Sequence, residues 1–106
     1  HETLMKYNEA RVSEAYADVE ALQTRVDTEI ELIKAQKRDL KAELKSGGLD
    51  NVTYQKKLMP LNKQIRALEM EVSECKYDIH NRFMNEGISY GMIESYMRNK
   101  KKDGKD

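Results

Sequence analysis

A chain of 106 residues with one proline, one phenylalanine, no tryptophan and 36% charged residues carries too little aromatic bulk for a compact globular core of that size. The single cysteine, Cys75, excludes an intramolecular disulfide and suits a reducing compartment. No apolar run nears the roughly 18 residues of a membrane span, and the start, at His1, resembles no signal peptide, so the expectation is a soluble, cytoplasmic protein. The formal net charge of zero hides blocks of opposite sign.

From Met5 the residues seven apart are Met5, Val12, Val19, Val26, Ile33 and Leu40, accompanied by Tyr16, Leu22, Ile30 and Leu44 three or four places on. That is a heptad seam. No Gly or Pro interrupts residues 3–45, so one helix is predicted over about 3–46, on the order of 60 Å long at 1.5 Å per residue. Asn8, Gln23 and Lys37 interrupt the stripe, which reads either as local wobble or as a face wide enough for two neighbours.

Ser46-Gly47-Gly48 ends this helix, because glycine adopts the left-handed conformation of a helix C-terminus at little steric cost. The turn is predicted over 46–51, with Asp50 or Asn51 as the N-cap of a second helix over about 52–86. Along it Leu58, Leu61, Ile65, Leu68, Val72, Cys75 and Ile79 alternate by three and four. Pro60 costs about 3 kcal/mol inside a helix. It predicts either a kink over 56–60 or a late start near Met59. Folded antiparallel through the glycine turn, Leu40 faces Leu58, Ile33 faces Ile65, Val26 faces Val72 and Val19 faces Ile79, each pair of numbers summing to 98. A slip of about three residues, with Leu40 by Leu61 and Ile33 by Leu68, satisfies the pattern as well.

Asn85-Glu86-Gly87-Ile88-Ser89 repeats the order glycine, apolar, capping residue, with Gly48-Leu49-Asp50 as its counterpart. A turn over 86–89 and a short third helix over about 90–100 follow, with Met92, Ile93, Tyr96 and Met97 covering Met5 and Val12. Residues 100–106 have no apolar anchor and are expected to form a disordered basic tail. The fold class is all-α: a long antiparallel two-helix coiled-coil hairpin with a short C-terminal helix, associating into a dimeric bundle. Phe83 to Ser89, with Ile93 and Tyr96, also resembles the middle of a DNA-binding helix-turn-helix over about 16 residues. That family has a small residue where Phe83 stands and needs another helix to close its core, so a plain capped corner is the preferred reading.

Charge is blocky. Residues 1–31 carry net −5, 32–66 net +6, 67–97 net −4 and 98–106 net +3. The hairpin so formed has a basic turn end, built from Lys34, Lys37, Arg38, Lys41, Lys45, Lys56, Lys57, Lys63 and Arg66, and an acidic open end. Solvated helix faces tolerate such runs. The two functional readings are guidance of antiparallel association and engagement of an acidic partner or of phosphates.

No residue pattern supports catalysis: there is no glycine-rich phosphate loop, no HExxH and no spacing that suits a Ser-His-Asp triad. Cys75 and His80 are five apart and do not share a helical face, so no metal or cofactor site is expected. Cys75 reads as a small seam hydrophobe and His80 as a solvated or edge residue. Six tyrosines are many for so polar a chain. Tyr90, Met92, Ile93, Tyr96 and Met97, with Met84, form a candidate partner surface, since Tyr and Met are adaptable contact residues. The function expected is a non-enzymatic coiled-coil adaptor that homodimerises and binds a protein partner, without membrane or small-molecule ligand. The alternative is a small nucleic-acid-binding accessory protein using the basic turn end and the tail.

Overall fold

The computed structural model describes residues 2–103, with side chains as far as Arg98. Among these, three helices follow one another: α1 (Glu2–Ser46), α2 (Asn51–Asn85) and α3 (Tyr90–Asp103). Among the described residues there is no strand. The first two are the long helices that the uninterrupted apolar periodicity predicts, and together they make a helical hairpin. α2 begins at Asn51 and continues through Pro60, so the late start near Met59 does not occur. Pro60 removes the amide that would have bonded the Lys56 carbonyl, and its exposed position leaves that carbonyl open to water. α3 runs to Asp103, three residues past its expected end at 100; the rest of the expected tail, 104–106, lies outside the described residues.

Both corners are one motif. At the end of α1 the Gly48 amide donates to the Glu43 carbonyl at 2.9 Å and the Gly47 amide to the Leu44 carbonyl at 3.2 Å, around a left-handed Gly47 with φ +84°. At the end of α2 the Ile88 amide donates to the Phe83 carbonyl at 3.0 Å and the Gly87 amide to the Met84 carbonyl at 2.9 Å, around Gly87 with φ +94°. These are Schellman pairs, which satisfy carbonyls the helix itself leaves without donors. Gly87 therefore corresponds to Gly47, not to Gly48, and the first corner holds one more residue than the second. Asp50 is the N-cap of α2, its Oδ1 accepting from the Thr53 amide at 2.7 Å, and Ser89 caps α3, its Oγ accepting from the Met92 amide at 3.2 Å.

The chain forms two units, residues 23–72 and residues 1–22 with 73–106. In the first, Val26 and Ile33 are buried, whereas Leu40, Leu44 and Leu49 stay half-buried. The whole α2 seam of this unit, Leu58, Leu61, Ile65, Leu68 and Val72, is half-buried too. Two helices cover only one stripe of each other, which accounts for the thinness of this core. Arg25 reaches across to Glu71, with Nη2 3.0 Å from Oε1.

The second unit has a third helix to close it. Val12 and Val19 of α1, Ile79 and Phe83 of α2, and Ile93, Tyr96 and Met97 of α3 are all buried, with Phe83 and Ile93 0% exposed. Side chains of this size contribute about 1.5–3 kcal/mol each when fully removed from water. Arg11 holds Glu86 through two parallel bonds, Nη1 to Oε1 at 2.6 Å and Nη2 to Oε2 at 2.8 Å, and its guanidinium lies 5.3 Å from the Phe83 ring centre. The numbers of the pairs 25 with 71 and 11 with 86 add to 96 and 97. In the register of Leu40 with Leu58, each carboxylate stands one or two residues, about 1.5–3 Å, from the position facing its arginine. In the slipped register the offset would be four or five residues, about 6–7.5 Å, which a long arginine side chain also spans.

Candidate functional site

The nine basic residues predicted as a patch all fall in the unit 23–72, where the structure divides them. Lys34, Lys37, Arg38 and Lys41 recur by three and four along α1, so they occupy one side of that helix within about 100° of arc. With Tyr54 and Leu58 of α2 they line a groove of about 460 Å³. Lys56, Lys63 and Arg66, with Met59, Pro60 and Asn62, line a second groove of about 450 Å³ on α2. Lys45 and Lys57 are exposed and line neither. Lys34 lies 3.9 Å from Glu31, and the other eight have no ion-pair partner among the described residues.

The unit 1–22 with 73–106 holds a different arrangement. Its groove, about 450 Å³, runs between α2 and α3 and is lined on its outer side by Tyr77, Met84 and Tyr90, all exposed. At its floor is His80, which is buried and not solvated as its place beside the seam suggested. Nδ1 lies 2.9 Å from the Lys76 carbonyl oxygen, so that nitrogen must carry a hydrogen and donate. Nε2 lies 2.8 Å from Glu94 Oε1, and the Tyr90 ring stacks on the imidazole at 4.6 Å between centres. α3 brings Tyr90 and Glu94 back over His80 from ten and fourteen places further along the chain, a return that α2's own periodicity does not reveal.

The predicted partner surface is divided as well. Ile93, Tyr96 and Met97 are core residues, because α3 turns that face onto Val12 and Phe83's unit; Tyr90 and Met92 stay exposed. Phe83, absent from the predicted seam, is the largest fully buried side chain. Its signal was the step of four from Ile79, which continues the stripe into the corner. Cys75 is half-buried, and burial, then the charges of Asp18 and Asp78, push its thiol above the ordinary range. A thiol so placed is a poor nucleophile. Among the described residues no three His, Cys, Asp or Glu side chains are grouped to hold a metal ion, and no helix is long and apolar enough to cross a membrane. Compared with protein-family models, with curated proteins and with solved structures, the chain finds no match.

Proposed function

We propose that the chain is a non-enzymatic coiled-coil interaction module that self-associates, two copies covering each other's seam in the unit 23–72, and that the paired form is an adaptor for a protein partner. The observation that carries this reading is the half-exposure of Leu58, Leu61, Ile65, Leu68 and Val72 along one stripe of α2. A helix pair with such a seam is completed by a second pair, as in a four-helix bundle, and a two-fold dimer is the commonest way for one chain to supply it. Charge favours an antiparallel pairing. A parallel one would set the two copies of residues 32–66, each net +6, side by side.

Sedimentation equilibrium of the full chain from about 5 to 200 µM tests the reading. A dimer mass is expected at the upper end, shifting toward monomer in Leu61→Gln with Leu68→Gln. A helical monomer at 200 µM would sink it.

A further inference from the structure

The two basic grooves of the unit 23–72 share only Leu58 with the seam and have a chemistry of their own. Seven cations line them, six of which have no carboxylate partner among the described residues. Lys34, Lys37, Arg38 and Lys41 are neighbours at helical spacing, about 5–6 Å apart, which suits successive phosphates of one strand. The same groove contains Tyr54, a flat ring among cations, and the other contains Asn62, which can both donate to and accept from a base edge. The stripe of Lys56, Met59, Lys63 and Arg66 is centred about 150° round α2 from the centre of Leu58, Leu61 and Ile65, whereas the first groove includes Leu58 itself. The grooves therefore face different sides. A flat anionic membrane meets one side only, and a rigid acidic helix fills one groove; a flexible polyanion reaches both.

We propose that the unit 23–72 binds single-stranded nucleic acid, its phosphate backbone following Lys34, Lys37, Arg38 and Lys41 with a base against Tyr54, and continuing to Lys63 and Arg66. Contacts are to backbone and ring faces, so sequence preference is weak. This goes beyond self-association and does not require it.

The test is fluorescence anisotropy of the full chain with a labelled 20-nucleotide single strand of mixed sequence. Between 50 and 200 mM salt, four to seven phosphate contacts weaken binding by about 50-fold to about 900-fold. Lys37→Glu with Lys41→Glu, and separately Lys63→Glu with Arg66→Glu, each weaken binding at least tenfold while circular dichroism stays that of the parent. Tyr54→Leu, which keeps an apolar contact and removes the stacking ring, weakens it about fivefold or more, and the exposed Lys6→Glu, in the other unit, leaves it unchanged. Several results would overturn the proposal: no binding at 50 mM salt, equal or tighter binding of the matching duplex, equal displacement by polyglutamate, or equal affinity for vesicles rich in anionic lipid. The last two would reassign the surface to an acidic protein or to a membrane.

Discussion

Gly47 and Gly48 stand next to each other in the first corner, yet a single added methyl group should act on them in opposite directions. Gly47 has φ +84°, where an L side chain meets its own backbone, and alanine there costs about 1–2 kcal/mol. Gly48 has no such backbone, and the nearest atom to an added Cβ is the Glu43 carbonyl oxygen at 3.5 Å, an ordinary contact. Alanine at 48 therefore restricts the unfolded chain more than it strains the fold, a stabilisation of about 0.4–1 kcal/mol. The two variants should differ by about 1.4–3 kcal/mol, which for a chain of this length separates their Tm values by roughly 5–12 °C. Thermal melts followed by circular dichroism at 222 nm, with urea titrations to check that m is unchanged, measure the difference. Gly87→Ala, at φ +94°, should fall with Gly47→Ala. The reasoning is refuted if Gly48→Ala melts below Gly47→Ala, or if both melt within a degree of the parent.

Two further outcomes follow, one from the core of the unit 1–22 with 73–106 and one from a paired carboxylate in each unit. Phe83→Ala should lower stability by about 3–5 kcal/mol, since the ring is wholly buried and its removal leaves a cavity; a urea titration showing less than about 1 kcal/mol would mean the surroundings collapse into the space. The bond from Arg11, then its charge, holds the Glu86 carboxyl below its ordinary range, and the Thr53 amide does the same for Asp50. A lowered carboxylate contributes stability that is complete above the ordinary carboxylate range and is lost as pH falls through that range toward the lowered value. Urea midpoints at pH 6 and pH 3 should therefore differ less in Glu86→Gln, and less in Asp50→Asn, than in the parent; equal differences would count against both pairings.

The positions read most securely from the sequence were those fixed by local chemistry. Val12, Val19, Val26 and Ile33, spaced by seven in a stretch without helix breakers, are all buried, and Asp50 caps as its short carboxylate suggested. Sequence order placed the corners but mispaired their glycines, because composition does not show which of two adjacent glycines takes positive φ. His80 was beyond reach for a different reason: its partners Glu94 and Tyr90 reach it only after α3 has turned back, so its burial depends on a tertiary return. The same return decides that Ile93, Tyr96 and Met97 serve the core, leaving Tyr90 and Met92 at the surface. Among the cations, spacing alone put Lys34, Lys37, Arg38 and Lys41 on one side of α1, but Tyr54 joins them from the other helix across the turn.

The division of the chain into units also orders its assembly in time. Residues 23–72 are continuous and joined by a tight corner, so they can zip together as soon as the second arm exists. The other unit closes a gap of 75 residues between Arg11 and Glu86. During synthesis, residues 1–22 must wait for Phe83 and Ile93 to leave the ribosome, a delay of several seconds at about 5–20 residues per second. Through that interval Val12 and Val19 are apolar surface without cover, open to a chaperone or to a neighbouring nascent chain. Pulse-labelled hydrogen exchange during refolding should accordingly protect the amides of 26–40 before those of 8–19, and the reverse order would show that the long-range closure comes first.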